Sequence, residues 1–390
     1  MDINREKERQ IHQSDEEIGR GGERSSDKDK SSLRYRILLA VTYTSLFVGS
    51  VSSSLLSRFY FIHGGSSIWV STWVQSAGFP LLLLPIYLPR LFDLHRRQPR
   101  PFSYFTLKLL LITVGMGLIS GLSNFLFSWG IFYLPLSTSS LLLSCQLAFN
   151  LILSVLIVKQ RIVFSNLNTV VLITLSSILL AIGSSHDRPK GVTQRQYFMG
   201  LFAILSTGLL FALYLPLMEM IYKKMVQGYE MVIEMQFINA AVATALASVG
   251  MAFDGGFREM RKVSKKSFDL GTAAYGLTVG FNVVTWQVCF MGSAGLVYLT
   301  TSLTGGICMT ALLSINELGG VLVFGDEFGG GKVVSTLMCV WGFCSYVYGE
   351  YRKMVEGEKR NEQGNLENDQ EKAMEVVSVN SCYFESRNLS

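Results

Sequence analysis

The stretch LSTSSLLLSCQLAFNLILSVLIV, residues Leu136–Val158, contains no Asp, Glu, Lys or Arg. At 1.5 Å per residue an α-helix of this length rises about 34 Å, enough to cross roughly 30 Å of hydrocarbon. Lipid offers no partner to unpaired backbone groups, so an uncharged run of this length is predicted to be a transmembrane helix. Similar runs recur on both sides of it. The predicted spans are Arg36–Ser57, Ser67–Leu88, Phe105–Gly130, Leu136–Val158, Phe164–Ser184, Phe198–Tyr222, Met231–Phe253, Gly271–Met291, Leu296–Phe324 and Val333–Gly349, ten in all. Between the eighth and ninth, only Gly292 to Gly295 serves as connector.

The rest of the chain agrees with this reading. Of 390 residues, 49% are hydrophobic and 16% charged, and the mean hydropathy of +0.34 exceeds that of ordinary soluble domains. Charge is crowded into the ends and short connectors. Residues 1–34 and 351–390 are polar and poor in bulky aliphatics, which predicts two disordered cytosolic tails; the first has no apolar core of the signal-peptide kind. Cutting near Asp187 leaves five spans on each side, in segments 35–186 and 187–350. An odd number per half means that homologous halves must be inverted in the membrane, a transporter signature. The expected fold class is therefore all-α integral membrane, about ten transmembrane helices, which form two inverted five-helix repeats if the halves are homologous. A faint internal echo pairs Leu136-Ser137-Thr138-Ser139 with Leu299-Thr300-Thr301-Ser302.

An even number of crossings puts both tails on one side. Cytosolic tails place Arg90, Arg96, Arg97, Arg100, Lys159, Arg161, Lys223 and Lys224 inside, as the positive-inside rule asks. The cluster Arg258, Arg261, Lys262, Lys265 and Lys266 then lies outside and runs against the rule.

Several classes of function are excluded. Five of six cysteines fall in apolar spans and Cys382 lies in the C-terminal tail, without CxxC spacing, so neither a disulfide framework nor a metal site is expected. The net charge of +5 forms no basic and aromatic stripe, so nucleic acid is not a partner. HExxH, GxSxG and P-loop patterns are absent, so neither an enzyme nor a cofactor is expected.

Polar side chains in hydrocarbon are costly and face protein or water. Ser120, Asn124 and Ser128 share one face of the third span, where Asn124 meets either a solute or a neighbouring helix. Gln146 and Asn150 are one turn apart in the fourth, and amides both donate and accept, which suits the edge of a nitrogen heterocycle; interhelical bonding is the alternative. Trp69 and Trp73 lie one turn apart with Gln75 beside them, and Asn282 and Trp286 likewise with Gln287 next. A tryptophan beside an amide fits a flat uncharged ring, although Trp69 also suits an interfacial anchor. A carboxyl group in low dielectric resists ionisation and can exchange a proton as water access alternates. Glu317, in the ninth span, is the candidate for proton coupling. Glu219, Glu230 and Glu234 lie nearer the cytosolic ends, where Lys223 and Lys224 or water can pair with them. No span carries Lys or Arg near its centre, so a phosphate-bearing solute lacks its counter-charge. The expected cargo is a neutral or weakly basic small solute, carried across a lipid bilayer.

The chain resembles the plant purine permease family, a branch of the drug/metabolite transporters. The stretches that carry the likeness are Ser54-Leu55-Leu56-Ser57-Arg58-Phe59-Tyr60-Phe61-Ile62-His63-Gly64-Gly65, Trp73-Val74-Gln75-Ser76-Ala77-Gly78-Phe79-Pro80, Tyr133 to Leu141, Gln146-Leu147-Ala148-Phe149-Asn150, Leu215 to Glu219 and Glu234-Met235-Gln236. The resemblance implies ten helices as two inverted five-helix repeats with cytosolic ends (the drug/metabolite transporter fold) and proton-coupled uptake of purine bases, cytokinins or related heterocycles; the plasma membrane is the expected location. It also implies a cavity lined by spans 1, 3, 4, 6, 8 and 9, bringing Asn124, Gln146, Asn150, Trp286, Gln287 and Thr301 into range, with Trp73 beside them from the residue reading. Around Leu313 and Asn316 the sequence departs from the family's prolines. The alternatives are a facilitator or exporter of another neutral metabolite and, of a different class, a non-transporting receptor.

Overall fold

A computed structural model describes the chain apart from residues 1, 66, 93–99, 135, 160–163, 185–192, 263–267, 325–329, 332, 335, 339, 350, 353–354, 358, 360–362 and 365–390. The side chains of 2–31 and of some further helical residues, Ser137, Thr138, Ser140 and Glu317 among them, also lie outside the described set. All regular structure in the described residues is helical. The helices are α1 (Asp2–Ile62), α2 (Ile68–Ser76), α3 (Leu83–Phe92), α4 (Leu107–Tyr133), α5 (Leu136–Val158) and α6 (Phe164–Ser184), followed by α7 (Gln194–Met225), α8 (Tyr229–Phe253), α9 (Gly256–Lys262), α10 (Gly271–Leu299) and α11 (Ser302–Phe324). The described residues of 333–349 form a further helix, α12.

Among the described residues five helices are long and apolar enough to cross a membrane: Ser32–Ile62 within α1, α4, α7, α8 and α10. Shorter apolar stretches lie in α5, α6 and α11. The distribution of side chains identifies the solvent. On α4, Leu107, Leu111, Leu118 and Leu122 face outward while Thr113, Ser123, Asn124 and Ser128 are buried. Apolar outside and polar inside is the pattern of a protein whose surroundings are hydrocarbon.

Three differences from the predicted spans have physical reasons. First, α1 continues back to Asp2 instead of starting at Arg36; residues 2–31 hold no proline and many Glu, Lys, Arg and Gln, all good helix formers. Of the C-terminal tail, residues 365–390 lie outside the described set. Second, Ser67–Leu88 is broken. Ser67 caps α2, accepting from the Val70 N–H, and the Ala77 N–H closes that helix on Trp73 O. A single 3-10 turn, Phe79–Leu82, then opens at Pro80, which has no N–H to extend the α-helix across Gly78. Third, the break between the eighth and ninth spans falls at Thr300 and Thr301, not at Gly292 to Gly295. Those glycines are a packing face. A Cβ on Gly292 would stand 2.4 Å from Leu46 N on α1, and one on Gly295 would meet Thr42 and Tyr229.

The packing follows the close contacts. α1 lies along α10 and touches α11; α4 lies on α7 and α8; α5 packs on α6, α7 and α11; α2 fits between α4, α8 and α10. α12 joins α6 and α11 through Ile173, Ile307 and Tyr346, and Thr169 Oγ1 donates to Gly342 O at 3.2 Å.

Candidate functional site

The helix packing leaves three adjoining cavities. The widest, about 410 Å³, lies at the C-terminal end of α1 between Arg58, Phe61, Ile131, Leu134, Trp286 and Asn316. It shares Ser54, Phe127, Leu143, Trp286, Leu313 and Asn316 with a chamber of about 130 Å³. That chamber in turn shares Ser123, Asn124, Phe211 and Phe290 with a pocket of about 30 Å³, room for roughly one water molecule. Met218 and Tyr222 line this pocket and, with Met231 and Met235, belong to a single buried cluster that closes the path. The space therefore narrows stepwise from one end of the bundle toward the other.

The chamber carries the chemistry. Buried Gln75, Asn124 and Gln146 line it from α2, α4 and α5. Trp286 forms an aromatic wall with Phe290, stacked at 5.4 Å and 27°, and Phe127, edge-on at 6.4 Å. The Trp286 Nε1–H donates to Ser57 Oγ at 3.4 Å, and Asn282 Nδ2 donates to the same oxygen at 3.2 Å. Opposite, Asn316 Nδ2 donates to Ser50 Oγ at 3.2 Å and Ser54 Oγ at 2.8 Å, clamping α11 to α1. No carboxylate lines any of the three cavities among the described residues, and Arg58, over the Phe324 ring at 4.9 Å, is the one cation. Such a lining can sandwich a flat ring and exchange hydrogen bonds with its edge; it offers little to a polyanion.

Of the residues expected in the site, the structure brings Asn124, Gln146 and Trp286 together. Trp73 packs instead in an aromatic cluster with Tyr60, Phe268 and Tyr275. Asn150 is spent between helices: its Nδ2 donates to Ser302 O at 3.1 Å, and Ser154 Oγ donates to its Oδ1 at 3.4 Å. Gln287 lies buried against Gly78, and neither end of its amide has a hydrogen-bond partner among the described residues. Thr301 caps α11, its Oγ1 accepting from Thr304 N at 3.2 Å. Glu317 falls in α11 with its side chain outside the described set. Serines 50, 53, 54 and 57 were missed, although their spacing puts them on one face of a helix.

Glu219 has a separate role. It is 1% exposed; its Oε2 accepts from Ser302 N at 2.7 Å and its Oε1 pairs with Lys223 Nζ at 2.6 Å. The carboxylate thus caps the start of α11, where unpaired N–H groups favour negative charge. Ser302 also meets Ser154 Oγ through its own hydroxyl at 3.0 Å, so one residue ties α5, α7 and α11.

A family model for purine nucleobase transmembrane transport matches residues 37–356. Similar proteins from Arabidopsis thaliana include probable purine permease 4, 56% identical over 300 residues that make up 77% of this chain and 78% of that one. Another is purine permease 3, 32% identical over 348 residues, 88% of this chain and 99% of that protein. A solved crystal structure matches the fold with a TM-score of 0.55 at 12% identity, over 80% of this chain and 98% of its own.

Proposed function

This chain belongs to the purine permease family, integral membrane transporters and not enzymes, and from that premise we propose that it imports purine bases, cytokinins or related nitrogen heterocycles together with protons. The observation that carries the reading is the uncharged chamber in which the amides of Gln75, Asn124 and Gln146 stand beside Trp286. A purine ring presents both donors and acceptors on its edge and a flat π face, which are the features amides and indole bind.

Alternating access between two inverted repeats is part of the proposal. Exchanging α1 with α7, α2 with α8, α4 with α10, α5 with α11 and α6 with α12 turns the α1–α10 contact into α7–α4, α2–α10 into α8–α4, and α5–α7 into α11–α1. Each of these pairs packs together. The α2–α8 and α5–α11 contacts map onto themselves. This correspondence supports a two-fold relation lying in the membrane plane. With cytosolic termini, the wide cavity faces outward and the methionine and tyrosine cluster closes the inner side, one of the two states alternating access requires. We assign the plasma membrane as the site of action and Glu317 as the proton-coupling residue.

The test is uptake of radiolabelled adenine in yeast lacking base transport, with and without a protonophore. Saturable uptake abolished by the protonophore is expected. Uptake that ignores the proton gradient returns the chain to the facilitator alternative, and absence of uptake of any purine sinks the reading. Glu317→Gln should stop accumulation while leaving exchange of internal for external adenine; unchanged accumulation removes Glu317 from the role.

A further inference from the structure

The three chamber amides are not equally free. Gln75 is 3% exposed, and its Nε2 donates to Ser71 O at 3.1 Å and to Ser128 Oγ at 3.0 Å. The Ser128 hydroxyl donates onward to Ser71 Oγ at 3.3 Å. A side-chain amide has two N–H donors and one carbonyl, and here both donors are committed to the wall. Turning the amide over would set its oxygen against the Ser71 carbonyl, acceptor against acceptor, so the network fixes which way it points. Oε1 is the group left to the chamber, and Gln75 makes no hydrogen bond through it to any described residue. Among the described residues, Asn124 and Gln146 have no comparable pair of anchors.

We propose that Gln75 is a specificity-determining residue for the transported solute: its Oε1 accepts a hydrogen bond from an N–H on the edge of the bound heterocycle. The transporter then selects rings that carry this donor over the same rings methylated at that nitrogen. The inference rests on the heterocycle-transport reading above and adds to it a residue on α2 with a defined polarity. A bound ligand that presents a methyl group there shields the acceptor from water and leaves it unpaired, which weakens binding about ten- to hundredfold.

The experiment is competition against radiolabelled adenine uptake by the full-length protein in base-transport-deficient yeast, with 9-methyladenine and N6,N6-dimethyladenine as competitors. Against wild type, one of the two is expected to compete about ten- to hundredfold less well than adenine. In Gln75→Met the same competitor should fall to within about threefold of adenine, because the acceptor is gone for both. Ser128→Ala, which frees one anchor and lets the amide turn, should lower the same ratio while leaving Gln75 in place. Transport by either variant with the wild-type ratio at both positions overturns the assignment. A wild-type protein that takes up no purine overturns the transport reading itself, and this inference with it.

Discussion

One close approach of two main chains, α10 against α1, gives a quantitative test of the packing. A Cβ on Gly292 would lie 2.4 Å from Leu46 N, 2.8 Å from Leu46 Cα and 2.9 Å from Thr42 O, all backbone atoms of α1. Ordinary Cβ contacts begin at 3.4 Å, so Gly292→Ala must push α10 away from α1 by about 1 Å, and no side chain can swing aside to relieve it. Overpacking of this kind costs about 1–3 kcal/mol, and main-chain obstacles place it at the upper end. Better helix propensity returns up to ~1 kcal/mol, leaving a net loss of about 2 kcal/mol. Gly280, also in α10, has nothing within 4 Å of its Cβ position, so Gly280→Ala should gain up to ~1 kcal/mol. Two identical substitutions in one helix are thus expected to differ by about 3 kcal/mol. Thermal unfolding of the purified protein in detergent, followed by tryptophan fluorescence, should put Gly292→Ala several degrees below wild type and Gly280→Ala at or above it. Equal melting temperatures for the two variants would show that α1 and α10 do not meet as described.

Asn150→Leu should lower stability by about 1–3 kcal/mol, because Ser302 O loses its donor in a buried setting, while KM for adenine in the protein that remains stays within about twofold; a selective rise in KM would move Asn150 into the solute site. Trp286→Ala should reduce adenine uptake at least about tenfold, with Trp286→Phe retaining more of it, and equal uptake by both would argue against stacking on this ring. Glu219→Ala should destabilise by about 1–3 kcal/mol through the orphaned Ser302 N–H, whereas Lys223→Met, which removes a partner 58% exposed, should cost under about 1 kcal/mol. Melting temperatures of the pair separate the two contributions, and a larger loss for Lys223→Met would reverse the assignment.

Much of the architecture was legible because bilayer thickness imposes a length on uncharged runs and hydrocarbon drives polar groups inward. The α2 break could be read from Gly78-Phe79-Pro80, since proline acts locally. Gly292 and Gly295 misled for the opposite reason. Glycine serves both as a helix end and as a site of close helix approach, and only the position of α1 decides between them. The actual break, at Thr300 and Thr301, is set by a carboxylate from another helix, Glu219, reaching the Ser302 N–H across 83 positions of sequence.

The site shows where periodicity stops being informative. Gln146 and Asn150 share a helix face, as their spacing requires, yet Gln146 meets the chamber and Asn150 meets the backbone of α11. Spacing identifies which residues lie side by side, not which neighbour occupies each stretch of that face. Trp73 and Gln75 show the converse. Two positions apart in the sequence, they read as one surface, but residues i and i+2 of a helix are turned about 200° apart. One therefore enters the aromatic cluster and the other the chamber. In the chamber the ring and this amide come from different helices, Trp286 from α10 and Gln75 from α2. In the alternating access proposed above, a helix movement that changes the spacing between α2 and α10 would take the solute's edge contact away from its stacking contact, and one site could then hold its cargo in one state and release it in the next.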